Sequence, residues 1–136
     1  MPMMRVLVLM SMLVGAVACG DDTPTAPTDP APRPTITETF SGTLTVNGAW
    51  THSFATGSGQ ITATLTTLSP DSAAVISLSL GTWNGTACQI VIANDNATQA
   101  AVVVGNAGTT GNFCARVLDV GLLGAPTDYT LTVVHF

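Results

Sequence analysis

Ile61-Thr62-Ala63-Thr64-Leu65-Thr66 alternates apolar and polar side chains without a break. Successive side chains of a β-strand point to opposite faces, so Ile61, Ala63 and Leu65 are assigned to a core and the threonines to water. Ile76-Ser77-Leu78-Ser79-Leu80 and Thr130-Leu131-Thr132-Val133 repeat the pattern further along the chain. The polar partners are Thr and Ser rather than charged residues, and β-branched side chains suit a pleated, half-buried surface.

Turn signals separate such runs. Asn47-Gly48 and Asn84-Gly85 read as hairpin turns that tolerate positive φ, and Gly57-Ser58-Gly59, Ser69-Pro70-Asp71 and Asn94-Asp95-Asn96 mark further breaks. About eight strands are predicted, at 37–46, 50–56, 60–68, 74–80, 87–93, 99–104, 112–120 and 127–135. Strands at this spacing indicate an all-β chain: a single jelly-roll-like antiparallel β-sandwich over residues 36–136. Its predicted core is Phe40, Leu44, Phe54, Ile61, Leu65, Ile76, Leu78, Leu80, Ile90, Ile92, Val103, Phe113, Val117, Leu131 and Val133, with Trp50 partly inside.

Composition narrows the class. Of 136 residues, 46% are hydrophobic and 8% charged, and the mean hydropathy is +0.47. That excludes a disordered chain and a charge-rich helical bundle. There is no lysine; Arg5, Arg33 and Arg116 stand against eight acids, for a net charge of −5. Nucleic acid and anionic lipid surfaces need a basic footprint, which this chain lacks.

The N-terminal part is of another kind. Arg5 precedes the uncharged run VLVLMSMLVGAVA at residues 6–18. As a helix this run rises roughly 20 Å, short of a ~30 Å hydrocarbon core, and it ends in small residues, so 1–18 reads as a helical signal peptide. Residues 20–35 hold five of the eight prolines and no hydrophobic period. They read as a disordered Pro/Thr tether, extended over roughly 50 Å at polyproline II rise.

Two resemblances follow from these residues. Ala16-Val17-Ala18-Cys19 resembles the lipobox of bacterial lipoproteins, with Ala16 where Leu is usual. It implies acylation of Cys19, a tether beginning at residue 19 and attachment to the membrane through lipid. Gly20 does not resemble the aspartate that retains such proteins in the inner membrane, which points to the outer membrane, on its periplasmic or exposed side. Phe40-Ser41-Gly42-Thr43-Leu44, Trp50-Thr51-His52-Ser53-Phe54, Gln60-Ile61-Thr62-Ala63-Thr64-Leu65, residues 71–80, Gly111-Asn112-Phe113-Cys114-Ala115-Arg116-Val117 and Tyr129-Thr130-Leu131-Thr132-Val133 together resemble bacterial pre-peptidase C-terminal (PPC) domains. That family is a jelly-roll-like, non-catalytic sandwich found beside secreted peptidases, which holds substrates and sometimes binds calcium. This chain carries no peptidase motif and no acidic cluster at the start of the domain.

With Cys19 set aside as the lipid acceptor, Cys88 and Cys114 remain. They are either two buried thiols or a disulfide, and an exported compartment favours the disulfide. Chemistry is sparse elsewhere. There is no His-Glu-x-x-His zinc motif, and Gly57-Ser58-Gly59 lacks the nucleophile-elbow spacing. His52 and His135 read as surface strand residues, so no enzyme is expected; an unrecognised hydrolase would need them to converge with an aspartate. Trp83, beside the Asn84-Gly85 turn, is a candidate stacking platform for a sugar ring, with Asn84 as a polar contact. Asp71, Asn94, Asp95 and Asp119 are the possible oxygen ligands for Ca²⁺. No other cofactor is implied. The expected role is a monomeric, non-catalytic envelope lipoprotein that displays a binding or structural module towards a glycan, peptidoglycan or a protein. The alternative is an accessory or substrate-binding subunit of an exported peptidase.

Overall fold

The computed structural model describes Gly20 and residues 24–136. The signal-peptide segment and Cys19 lie outside the described residues. Residues 24–35 carry no regular secondary structure and are exposed.

Eight strands follow: β1 (Ile36–Leu44), β2 (Ala49–Thr56), β3 (Gly59–Ser69), β4 (Ile76–Trp83), β5 (Cys88–Ala97), β6 (Val102–Ala107), β7 (Gly111–Leu118) and β8 (Thr127–His135). They form two antiparallel sheets, β1-β8-β3-β6 and β2-β7-β4-β5. Strands pair first with last, β1 with β8, β2 with β7, β3 with β6 and β4 with β5. The contacts β3·β8 and β4·β7 complete each sheet. This is a two-stranded ribbon wound into a jelly roll, the sandwich that the alternation predicts.

The core lies between the sheets. Strand β8 shows the alternation most clearly, with Thr127, Tyr129, Leu131, Val133 and His135 all buried. In β3 the buried residues Ile61, Ala63 and Leu65 are followed by Leu68, an interval of three rather than two. A register shift between Leu65 and Thr67 absorbs the extra residue and returns Leu68 to the core.

Several expectations are corrected. Ile90 and Ile92 are 41% and 42% exposed rather than core, because β5 is the edge strand of its sheet. Trp50 is 51% exposed, since β2 is the opposite edge; its indole Nε1 donates to the Thr43 carbonyl at 2.8 Å. Asn47-Gly48 forms a turn, with Asn47 at φ 58°, but it joins β1 to β2 in different sheets and so is no hairpin. Asn84-Gly85 does close a hairpin, between β4 and β5, with Gly85 at φ 94°.

Candidate functional site

Strand β4 turns Ile76, Leu78 and Leu80 into the core, which leaves Ser77, Ser79, Gly81 and Trp83 on the outer face of its sheet. The serines are covered there: Ser77 Oγ donates to Asp95 Oδ1 at 2.7 Å, and Ser79 Oγ to the Arg116 carbonyl at 3.3 Å. Gly81 is obligatory, because a Cβ at that position would lie 2.1 Å from the backbone oxygen of Gln89. Strand β5 thus lies over this glycine, at a register shift between Leu80 and Gly81.

That close approach has a covalent consequence. Cys88 on β5 and Cys114 on β7 flank β4, and strands two apart normally sit roughly 9.5 Å from each other. Here their Cα atoms are 5.8 Å apart and the two residues form a disulfide. The bridge crosses β4 and fixes the ground beneath Trp83.

Trp83 is half-buried at the end of β4, between two shallow depressions. One, of about 510 Å³, is lined by Trp83, Ser53, Ala55, Asn84 and Asn112. The other, of about 340 Å³, is lined by Trp83, Thr51, Thr86 and Arg116. Asn84 is held by its own turn, its Oδ1 accepting from the Thr86 and Ala87 backbone N–H groups at 2.9 and 2.8 Å. One aromatic face is therefore ringed by hydroxyls and amides, with one guanidinium on one side. Such a set can stack on a flat apolar surface and exchange hydrogen bonds around it.

Trp83 and Asn84 are the residues singled out from the sequence. Ser53, Thr51, Asn112 and Arg116 are not, because β2 and β7 join β4 in one sheet only through the strand order. The structure does not gather the four residues read as calcium ligands. Asp71 Oδ1 accepts from the Ala73 N–H, Asn94 Oδ1 from the Asn96 N–H, and Asp95 Oδ1 from Ser77. Asp119 accepts four backbone N–H groups, from Asn47 at 2.7 Å and from Gly121, Leu122 and Leu123. Those donors, Asn47 foremost, hold its carboxyl below the usual carboxylate range against the opposing effect of burial. Among the described residues, no three His, Cys, Asp or Glu side chains are grouped as a metal site would require.

The histidines correct the sequence reading: both face inward. His135 is buried, stacks on Phe54 at 5.1 Å and pairs with Glu38 through Nε2 at 2.8 Å. His52 is half-buried, stacks on Phe40 at 4.7 Å and shares a 2.7 Å hydrogen bond with the Tyr129 hydroxyl. Aromatic neighbours give each ring an apolar bed that a surface position would lack. Burial lowers the His52 pKa and pushes that of Tyr129 up to about 12.

The fold and this face define a jelly-roll sandwich with an aromatic, polar-rimmed outer surface. No family model and no curated protein matches the chain. Among solved structures it is similar to the Yersinia pseudotuberculosis-derived mitogen, at 17% identity and a TM-score of 0.57, over 74% of this chain and 86% of that one. It is also similar to Aeromonas hydrophila PliG, a periplasmic inhibitor of g-type lysozyme, at 12% identity and a TM-score of 0.49, over 73% and 84%. The first likeness shows the fold.

Proposed function

We propose that the chain is a non-catalytic envelope lipoprotein whose sandwich, held off the membrane by its tether, binds a glycan on the Trp83 face. The observation that carries this reading is Trp83 set between two polar depressions over a disulfide-braced sheet. A pyranose ring offers an apolar C–H face to an indole and hydroxyls to its rim. Ser53, Thr51, Thr86, Asn84 and Asn112 are neutral donors and acceptors of the kind such hydroxyls need. The lipobox-like Ala16-Val17-Ala18-Cys19 supports the anchor, and a disulfide accords with an exported compartment.

The test is a glycan array, peptidoglycan fragments included, probed with the wild-type chain and with Trp83→Ala. Loss of at least tenfold in affinity in the variant, with unchanged thermal stability, is the expected result; equal binding by the two overturns the reading. The anchor has its own check in the intact mass of the protein from its host's membranes. A chain beginning at Cys19 and heavier by two or three acyl groups is expected, and a bare chain sinks that part.

A further inference from the structure

Where the edge strands β5 and β6 face each other across the sandwich, the sheets do not close. A cleft of about 310 Å³ opens there, lined by Ile61, Leu80, Val91, Ile92 and Phe113. Two local features build it. In the pairing of β4 with β5, Leu80 opposes Ile92 and Gly81 opposes Ile90, which makes Val91 an extra, bulged residue. A bulge re-aims side chains, and here Val91 and the adjacent Ile92 both line the cleft. On β6, Gly105 lies between the inward-facing Val103 and Ala107. A Cβ there would meet only Leu80 Cδ1, at 3.4 Å, so the missing side chain leaves the space between the sheets unfilled at this point.

Size and charge specify an occupant. A buried apolar cavity of about 150 Å³ admits a benzene ring, so twice that volume takes a chain of about ten to twelve carbons. No Arg lines the cleft. Arg33 donates to the Ser58 carbonyl and lies over the Phe136 ring, and Arg116 lines the depression beside Trp83. A carboxylate or phosphate head would enter without a counter-ion on a chain of net charge −5. The polar lining consists of Thr82, Asn106 and Thr109, all neutral. We propose that this cleft binds the alkyl chain of a neutral-headed amphiphile, with its hydroxyl or amide head against Asn106 and Thr109. The site is separate from the Trp83 face and does not depend on it.

The experiment titrates 1-decanol into the full-length, disulfide-intact chain and follows the methyl resonances of Leu80, Val91 and Ile92. Saturable shifts at these methyls are expected, with decanoate at least tenfold weaker and 1-butanol without effect. Gly105→Val fills the cleft and abolishes the shifts. Val91→Ser alters only the exposed mouth, keeps the interior and weakens binding severalfold, so it decides the matter if Gly105→Val does not fold. No saturable shifts, binding that the variants leave unchanged, or decanoate binding as well as decanol each overturn the proposal.

Discussion

The two long edges of the sandwich are closed by different means. Along the β1–β2 edge, side chains reach from one sheet to the other. Four alternate residues of β2 do so: Trp50 donates to Thr43, His52 bonds Tyr129 and stacks on Phe40, Phe54 stacks on His135, and Thr56 donates to the Phe136 carbonyl. Along the β5–β6 edge, among the described residues, no such contacts bridge the cleft lining, which is mostly apolar, and a cleft remains. Beyond its pairing with β4, β5 is held by a disulfide within its own sheet and by the overlap at Gly81. Directional contacts fill the first edge, while a covalent brace lets the second stay open. A strand tied to its sheet need not be tied across to the other sheet, and space can persist beside it.

The largest effect tests the brace. Replacing Cys88 and Cys114 by alanine removes a link across 26 residues, and the chain-entropy treatment puts the loss at about 3.5 kcal/mol. Hydrogen exchange should then quicken in β5 while the β1 and β2 amides slow or quicken only with global stability. Equal loosening at both edges would break the comparison.

Next in size is the other edge. His135→Ala removes a buried ring stacked on Phe54 and leaves Glu38 without its partner, at a cost of about 3 kcal/mol in urea unfolding. His135→Phe keeps the stacking and should cost about 1 kcal/mol. If the phenylalanine variant loses as much as the alanine one, the Glu38 pairing rather than the packing closes this edge.

How much of this was legible in the sequence follows from what alternation encodes. Period two reports which residues share a face, so all eight strands and the buried aliphatics Ile61, Leu65, Ile76, Leu78, Leu80, Leu131 and Val133 could be placed from the runs of Thr, Ser and aliphatics. It does not report strand order. Ile90 and Ile92 look like core until β5 is known to be an edge, and His52 and His135 look like surface until the facing sheets bring Phe40 and Phe54 against them. The same gap hid half of the Trp83 face. The indole and Asn84 stand beside a recognisable turn, whereas Ser53, Asn112 and Arg116 join them only through the pairing of β2 with β7 and of β7 with β4. The bulge at Val91 was equally invisible, since Ile90-Val91-Ile92 is an unbroken apolar run with no turn residue in it.

The smallest expected effect turns on protons, and it acts on one edge alone. His52 has its pKa lowered from 6.5 by burial, so the folded chain resists a proton that the unfolded chain accepts. Its contribution to stability is fully present above about pH 6.5 and declines as pH falls through the lowered folded-state value, below which the folded chain is protonated as well. Tyr129, across the same hydrogen bond, works in the opposite direction. Its folded-state pKa of about 12 lies above the ordinary 10.0, so its contribution is complete below pH 10 and is lost as pH rises towards 12. Denaturant midpoints measured from pH 4 to 8 for the wild type and for His52→Phe should therefore diverge on the acid side, the variant having the shallower decline. Exchange at β5 and β6 should follow the global change only. Parallel curves for the two proteins would mean that the His52–Tyr129 contact lies outside the acid response of this edge.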